Sequence, residues 1–141
     1  MKAEIITIGD ELLIGQVVDT NSAWMGQQLN LYGIKVHQIT SVSDDEEHIL
    51  KALKEAEARV DLILITGGLG PTKDDITKVT LCKYFNVSMV FNQAAFDNLA
   101  EVFRRFGKEV TERNRSQAEV PENCIPIINK RGTAPGMWFE R

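Results

Sequence analysis

Short apolar runs alternate with amphipathic segments along this chain of 141 residues. Ala3 to Ile8 is rich in β-formers and stops at a glycine, which predicts a buried strand. Lys35 to Val42 alternates between apolar and polar residues and predicts a second strand. Asp61 to Thr66 is apolar almost throughout, as expected of a central strand covered on both faces. Two further short strands are predicted at Cys124 to Ile128 and at Gly136 to Phe139.

Two helices are predicted between the first three strands. Asp19 to Ser22 offers several caps for the first helix, which would end at Gly33. Its apolar positions recur at helical spacing and are Met25, Leu29 and Tyr32. Ser43 to Glu46 has the S-x-x-E form of a capping box and predicts the start of the second helix. The apolar stripe behind it contains Ile49, Leu50, Leu53 and Ala56.

Two more helices are predicted in the second half of the chain. The third runs from about Thr72 to Phe85, directly after a glycine-rich turn. For the fourth, Asn92 is the expected cap, with Phe91 and Phe96 forming a hydrophobic staple across it. Gly107 marks its end. Its apolar face is predicted to contain Phe96, Leu99, Phe103 and Phe106.

Strands that alternate with helices predict an α/β fold, in which helices cover both faces of a mostly parallel sheet. The length suits one domain. In such sheets, ligands bind beyond the carboxyl ends of the strands. The two most unusual turns, Gly9 to Gly15 and Gly67 to Thr72, each follow a predicted strand. We therefore expect these turns to lie close together at one rim of the sheet.

The turn from Thr66 to Thr72, T-G-G-L-G-P-T, is the strongest candidate for a ligand site. Its glycines Gly67, Gly68 and Gly70 permit positive φ and close approach of the backbone to a ligand. The helix that follows supplies unpaired N–H groups and a partial positive charge, so the turn predicts an anion site. A tight turn without a ligand is the alternative. The pattern of a P-loop is absent, and Lys73 stands where a dinucleotide-binding loop has its last glycine, so both of those classes are disfavoured.

Two aspartates, Asp74 and Asp75, follow this turn. In a structural interpretation, Thr72 caps the third helix and Asp75 completes a capping box. In a chemical interpretation, the two carboxylates bind a divalent cation, because without one they would repel a bound phosphate. Mg²⁺ commonly joins carboxylates to substrate phosphates and can polarise a phosphoryl oxygen. Both interpretations stay open.

Four other polar residues are candidates with simpler alternatives. Asp10 and Glu11, at the end of the first strand, are either ordinary turn acids or part of the site. Asn21 is either a helix cap or a ligand contact, and Asn129 is either a turn residue or a ligand contact. The basic stretch is expected to be mainly a solvated face and contains Arg104, Arg105, Lys108, Arg113 and Arg115.

Composition narrows the class of partner. The net charge of -4 and the pI of about 5.2 argue against nucleic acid or an anionic membrane as a partner, because these anionic surfaces bind positively charged proteins. No apolar run approaches the roughly 20 residues that cross a bilayer. The first strand begins too early for a secretory signal to precede it. Cys82 and Cys124 are expected to be reduced packing residues, so we expect a cytoplasmic protein.

Five segments together resemble one family. They are Gly9 to Gly15 (G-D-E-L-L-I-G), Asp19 to Asn21 (D-T-N), Thr66 to Thr77 (T-G-G-L-G-P-T-K-D-D-I-T), Asn114 to Ala118 (N-R-S-Q-A) and Gly132 to Gly136 (G-T-A-P-G). The family is that of the competence/damage-inducible protein A (CinA), and the resemblance runs from about residue 4 to the end. The G-G-L-G-P-T-x-D-D block is specific, and its occurrence together with G-D-E-L-L-x-G argues against chance.

The resemblance implies a fold and an activity. The N-terminal domain of this family is similar to the molybdopterin-binding domain of molybdenum-cofactor biosynthesis proteins, which implies a three-layer α/β/α fold with a sheet that is parallel except for an edge strand. It also implies that the full-length protein hydrolyses the pyrophosphate of ADP-ribose with a divalent metal such as Mg²⁺. The catalytic and metal-binding residues would be Asp74 and Asp75. The ligand contacts would be Gly9, Asp10, Glu11, Asn21, Thr66, Gly67, Gly68, Gly70, Pro71, Thr72, Thr77, Asn129, Gly132, Ala134 and Gly136.

A second function stays open. The same turn would serve a molybdopterin-like or nucleotide-binding module without catalytic activity, because a pterin phosphate is also an anion. A homo-oligomer stays open as well. The family pattern continues beyond the G-T-A-P-G segment, so we expect residues 1–141 to be one domain cut short at its C-terminal side. At the turn, we expect Gly68→Val to leave a folded domain and to weaken ligand binding at least about tenfold, since a rim turn carries little of the core.

Overall fold

The computed structural model describes residues 1–70 and 76–141, which form two compact units. Among these residues, the first unit comprises 1–69 and 76–80, and the second comprises 70 and 81–141. The strands are β1 (Lys2–Ile8), β2 (Lys35–Val42), β3 (Leu62–Gly67), β4 (Met89–Phe91), β5 (Glu119–Pro121), β6 (Ile125–Ile127) and β7 (Gly136–Trp138). The helices are α1 (Asp10–Leu13), α2 (Thr20–Leu31), α3 (Glu46–Glu57), α4 (Ile76–Phe85), α5 (Gln93–Arg105) and α6 (Glu112–Arg115), and a 3-10 turn covers Ser116–Ala118.

Strand β1 lies at the centre of the parallel sheet of the first unit, whose strand order is β2-β1-β3. Residues 3–8 are all buried. The prediction that Asp61 to Thr66 is the central strand is therefore wrong for the described residues, in which β3 is an edge strand with half-buried side chains. Strand β1 is less apolar than β3 because it contains Glu4 and Thr7. Both of these polar side chains form hydrogen bonds inside the fold.

Glu4 is a fully buried carboxylate on this central strand. Arg59, which follows α3, donates to it twice at 2.8 Å, from Nε to Oε2 and from Nη2 to Oε1. The hydroxyl of Thr40 in β2 donates to Oε1 at 2.8 Å. The hydrogen bonds from Arg59 hold the pKa of Glu4 below its usual range, against the opposing effect of burial. The carboxylate thereby joins β1 to β2 and to the end of α3.

Helices cover both faces of the sheet. On one face, Leu29 of α2 packs with Ala3 and Ile5 of β1. Glu4 points to the opposite face, because successive residues of a strand alternate, and there it meets Arg59 beside α3. A central parallel sheet between helices confirms the predicted α/β class.

Local capping sets where the helices begin. Asp19 caps α2, and Asp45 caps α3 by accepting a hydrogen bond from the N–H of His48 at 3.0 Å. The predicted capping box at Ser43 is therefore wrong: its hydroxyl lies 2.5 Å from Nδ1 of His48 instead. Tyr32 was expected on the apolar face of α2 but is 80% exposed, because α2 ends at Leu31.

The second unit contains two antiparallel strand pairs, β4–β5 and β6–β7, together with α5. Asn92 caps α5, and the rings of Phe91 and Phe96 lie 5.6 Å apart, which confirms the predicted cap and staple. Leu99 is fully buried on the apolar face of the helix. Phe106 is 72% exposed and does not belong to that face, because it lies in the non-helical cap position.

Short elements escape the sequence pattern, since α1, α6, β4 and β5 each contain only three or four residues. The predicted start of the third helix at Thr72 lies outside the described residues, whereas its predicted end at Phe85 is confirmed. Cys82 and Cys124 form no disulfide within the described residues, and burial raises the pKa of Cys82. Within the ranges given above, the helices lack the length and apolarity needed to cross a bilayer.

Candidate functional site

The carboxyl ends of the three parallel strands meet at one rim of the first unit. Ile8, the last residue of β1, pairs with Val42 of β2 and with Gly67 of β3. The N–H of Gly9 donates to the carbonyl oxygen of Val42 at 3.0 Å. Gly9 and Gly67, which open the two unusual turns, therefore lie beside the same strand end, as the parallel arrangement predicts.

Gly67 and Gly68 both have a positive φ, of 100° and 63°. A β-carbon on Gly67 would collide with the carbonyl oxygen of Ile8, because the turn packs directly on the end of β1. A β-carbon on Gly68 would collide with the hydroxyl of Thr77 in α4. Packing inside the first unit therefore requires glycine at both positions.

This packing corrects the expectation for Gly68→Val. Thr77 occupies the space beside Gly68, so the missing side chain does not hold open a ligand cradle there. A valine would have to displace Thr77 or the backbone, and the variant should lose stability as well as any ligand binding. The position of the turn at the rim of the sheet does not make Gly68 tolerant of substitution, because this turn packs against the helix that follows it.

Thr77 fastens the turn to α4. It is only 2% exposed, its hydroxyl donates to the carbonyl oxygen of Gly67 at 2.9 Å, and its N–H donates to that of Gly68 at 3.3 Å. The N–H groups of Leu69 and Gly70 donate to no acceptor among residues 1–70 and 76–141. The turn therefore directs two carbonyl groups to α4, while the N–H groups of Leu69 and Gly70 stay unpaired among the described residues, an arrangement that favours anions.

Acidic side chains occupy the neighbouring part of the rim. The N–H of Asp10 donates to Oδ2 of Asp44 at 3.1 Å, and the N–H of Asp44 donates to Oδ1 of Asp10 at 3.4 Å. The carboxylate of Glu11 folds back over Gly9. Within the described ranges, however, no three His, Cys, Asp or Glu side chains form a group that could hold a metal ion.

The two candidate asparagines have different surroundings. Because Asp19 caps α2, the alternative role of Asn21 as the cap is excluded. Asn21 is exposed, and its side chain makes no hydrogen bond within the described part of the chain. Asn129 closes its own turn: Oδ1 accepts from the N–H of Arg131 at 3.0 Å, and Nδ2 donates to the carbonyl oxygen of Ala134 at 3.2 Å.

Residues 129–135 lie in the loop that connects β6 to β7, and this loop is attached to α5. Nδ2 of Asn98 donates to the carbonyl oxygen of Asn129 at 2.8 Å and to that of Gly132 at 3.3 Å. Nη2 of Arg105 donates to the carbonyl oxygen of Lys130 at 2.8 Å. Neither Asn98 nor Arg105 is singled out as a loop anchor by the sequence pattern, which carries no signal for a contact across about 30 residues.

The remaining candidates are either in strands or outside the described residues. Thr66 lies in β3 opposite Thr7 of β1, and Gly136 begins β7 opposite Ile127. The candidates that lie outside the described residues are Pro71, Thr72, Asp74 and Asp75. The catalytic and metal-binding assignments therefore stay predictions.

The basic stretch is engaged in local contacts. Arg104 donates to Glu101 at 2.8 Å and 2.9 Å, and these hydrogen bonds lower the pKa of Glu101. The guanidinium of Arg115 lies 4.6 Å from the centre of the Phe91 ring. Both arginines are exposed, as expected of a solvated face.

Comparisons with known proteins agree with this architecture. Residues 4–141 match the family model described as "Probable molybdopterin binding domain". A CinA-like protein of Flavobacterium psychrophilum is 47% identical over 142 residues, which cover 100% of this chain and 34% of that protein. The crystal structure of CinA, a protein of unknown function from Thermoplasma acidophilum, is 36% identical with a TM-score of 0.82, and the match covers 96% of this chain and 79% of that one. The tungsten cofactor synthesizing protein MoaB from Pyrococcus furiosus is 25% identical with a TM-score of 0.57, over 75% of this chain and 64% of that one.

The fold and these matches define a class, the α/β domains of the molybdopterin-binding type. Within that class the chain belongs to the CinA family, of which it forms the molybdopterin-binding-like domain. It spans about a third of the length of the curated relatives it matches.

Proposed function

We propose that the turn of residues 67–70 binds a phosphate group of ADP-ribose, and that the whole protein hydrolyses the pyrophosphate of this ligand. The observation that supports binding is the orientation of the turn. Thr77 holds the carbonyl groups of Gly67 and Gly68, while the N–H groups of Leu69 and Gly70 have no acceptor among the described residues. Unpaired N–H groups ahead of a helix favour phosphate oxygens.

A divalent cation, with Mg²⁺ as the first choice, belongs to this proposal. We assign the cation to Asp74 and Asp75, because these two carboxylates follow the phosphate-binding turn directly in the sequence and match the family's G-G-L-G-P-T-x-D-D block, with Asp10, Glu11 and Asn21 facing the ligand. Such a cation supplies positive charge that offsets the repulsion between carboxylates and phosphate oxygens.

The reaction proposed is hydrolysis at phosphorus. A water molecule attacks one of the two phosphorus atoms, the bond from that phosphorus to the bridging oxygen breaks, and the products are AMP and ribose 5-phosphate. The part of this chain is to hold and orient the non-bridging oxygens through the N–H groups of Leu69 and Gly70, where negative charge increases in the transition state.

The test is product formation. The full-length protein is incubated with ADP-ribose and Mg²⁺ or another divalent cation, and AMP and ribose 5-phosphate are quantified. We expect equal amounts of both products, none in the presence of a chelator, and at least about a hundredfold slower turnover for Asp74→Asn or Asp75→Asn. Asp97→Asn is the control, because Asp97 is an exposed acid of α5 that accepts a hydrogen bond from Gln93. Absence of products with every divalent cation would refute the hydrolase proposal.

A binding module without catalysis is the second candidate, and it is favoured by the likeness to a cofactor-synthesizing MoaB. In that case the same turn holds a pterin or nucleotide phosphate, and affinity persists in chelator. Isothermal titration with ADP-ribose, with and without chelator, separates the two. A cytoplasmic location is part of either proposal, because Cys82 and Cys124 are not joined in a disulfide in the described part of the chain, as suits a reducing compartment.

A further inference from the structure

Strand β2 forms an edge of the parallel sheet in the first unit. Among the described residues it pairs with β1 and with no other strand. The carbonyl oxygen of Val42 accepts a hydrogen bond from the N–H of Gly9, so the backbone groups of Val42 point at β1. Because these groups alternate in direction along a strand, those of Ile39 and Ser41 point away from the sheet. They offer N–H and carbonyl groups to a further strand.

A bulge divides this edge into two parts. Ala3 of β1 pairs with Val36, and the next residue, Glu4, pairs with Gln38, which leaves His37 as an extra residue in β2. A bulge disfavours pairing with another chain where it lies. Residues 38–42 continue beyond it without a further shift of register. The part of the edge that suits pairing is therefore 38–42.

The same part of β2 exposes apolar surface. The side chain of Ile39 is 49% exposed. Beside it, a groove of about 430 Å³ lies between α2 and β2, with Gly26, Ile34 and Val36 in its lining. An added strand that brought an apolar side chain to this face would remove both from water, which is favourable.

The two ends of β2 carry opposite charges. Lys35 begins the strand and pairs with Lys2 of β1, and both lysines are exposed. Asp44 and Asp45 follow the other end of the strand. When two copies of such a strand pair in antiparallel orientation, the lysine end of each copy meets the aspartate end of the other, whereas parallel pairing sets like charges together. A second copy of this chain is therefore complementary to the edge.

We propose that two copies of this chain pair through β2 in antiparallel orientation, about a twofold axis at Thr40, an interaction independent of the proposed function. Ile39 of each copy lies opposite Ser41 of the other, and the outward N–H and carbonyl groups of these residues exchange hydrogen bonds. The two Ile39 side chains become neighbours on the face that carries α2. Lys35 of each copy lies at the Asp44–Asp45 end of the other.

An exchange of charges at the strand ends tests this pairing in the full-length protein. Lys35→Glu and Asp45→Lys each place like charges together in a dimer of one variant, so we expect each variant alone to dimerise at least about tenfold more weakly than the parent. An equimolar mixture of the two variants restores both contacts between opposite charges and should dimerise like the parent. Sedimentation velocity over a range of concentrations measures all four samples.

Ile39→Lys supplies a second test, because Asp45 also caps α3 and its replacement weakens that helix. The lysine places a charge at the centre of the pairing and should leave the protein monomeric. Phe106→Lys is the matched control, since Phe106 is an exposed apolar residue of the second unit. In addition, Ile39→Cys should join two copies through a short bismaleimide, with the parent as the measure of background from its own cysteines.

Each outcome decides the proposal. Weak dimerisation of both charge variants, its recovery in their mixture and cross-linking through Ile39→Cys support the pairing. A parent that is monomeric at every concentration overturns it and leaves the edge to an extended segment of another protein. A dimer that persists in Ile39→Lys, or the absence of the Ile39→Cys cross-link, also overturns it, because association then uses another surface.

Discussion

Thr77 and Thr80 are both buried in α4, and their hydroxyl groups have opposite surroundings. The hydroxyl of Thr77 donates to the carbonyl oxygen of Gly67, whereas that of Thr80 has no partner among the described residues. Burying a hydroxyl group without a hydrogen bond is unfavourable. Removing a donor from an existing buried hydrogen bond is also unfavourable, because its acceptor is left unsatisfied. One threonine therefore stabilises the turn, and the other opposes folding.

Valine substitutions at these two threonines should shift stability in opposite directions. Thr77→Val removes the donor to Gly67 and should lower the free energy of unfolding by about 1–2 kcal/mol. Thr80→Val replaces an unpaired hydroxyl with a methyl group and should be neutral or stabilising by up to about 1 kcal/mol. Urea unfolding with matched m-values measures both. Equal destabilisation by the two substitutions would contradict the assigned hydrogen bonding.

The glycine turn gives a second prediction at the scale of the residue. Gly68 and Gly33 have similar φ values of 63° and 71°, but a β-carbon meets Thr77 at Gly68 and open space at Gly33. Both alanine variants should lose about 1 kcal/mol for the left-handed backbone, and Gly68→Ala should lose a further 1–3 kcal/mol, roughly, from overlap. Thermal and urea unfolding of the pair isolate the overlap. Equal losses would show that the turn relaxes around the added carbon.

At the scale of the element, the ion pair of Glu4 and Arg59 joins the central strand to the end of α3. Because the folded state lowers the pKa of Glu4, this carboxylate binds protons less readily in the folded than in the unfolded chain. Its stabilising contribution is fully present above the ordinary glutamate pKa of about 4.3 and is lost as the pH falls through the lower folded pKa.

Glu4→Gln should therefore remove part of the acid sensitivity of folding. We expect a loss of about 2 kcal/mol near pH 7, because a charged hydrogen bond is broken in a buried site, and a smaller difference from the parent below about pH 4. Glu101→Gln is the control: it removes the same charge from an exposed pair with Arg104. Chemical unfolding from pH 3 to pH 7 compares them, and parallel curves for Glu4→Gln and the parent would contradict the assignment.

The ion pair of Glu4 and Arg59 also illustrates which features of the strands and helices could be predicted from the sequence. The alternation of apolar and polar residues predicted β2 with its observed bounds, Lys35 and Val42. The sequence around Asn92 predicted the cap of α5. Both signals are local. The apolar run of β3 wrongly predicted a central strand. The central position of β1 could not be predicted, because the cost of burying Glu4 is removed by Arg59, 55 residues away. The sequence showed that the glycines of the turn are unusual. It could not show that a β-carbon on Gly68 would collide with Thr77, because that contact is formed only in the folded chain.

At the scale of the whole molecule, the dependence of affinity on salt distinguishes anion binding through charged side chains from anion binding through backbone N–H groups. The chain carries a net charge of -4, so its overall field weakly repels an anionic ligand. The proposed attraction comes from the divalent cation and from the N–H groups of Leu69 and Gly70, which donate to no acceptor among the described residues. Binding through exposed Lys and Arg side chains weakens as salt rises, because salt screens the attraction between exposed charges. Binding through backbone N–H groups lacks most of that dependence, since short contacts inside a turn are screened little.

We therefore expect the affinity for ADP-ribose to change little with salt. At constant free Mg²⁺, raising NaCl from about 20 mM to about 200 mM shortens the Debye length from about 20 Å to about 7 Å, and the Kd should change by less than about threefold. The association rate should rise slightly, because salt screens the repulsion by the net charge. Isothermal titration and stopped-flow mixing provide the two measurements. A Kd that rises tenfold or more would instead assign phosphate binding to exposed basic side chains such as Arg113 and Arg115, and would remove the turn of residues 67–70 from the site.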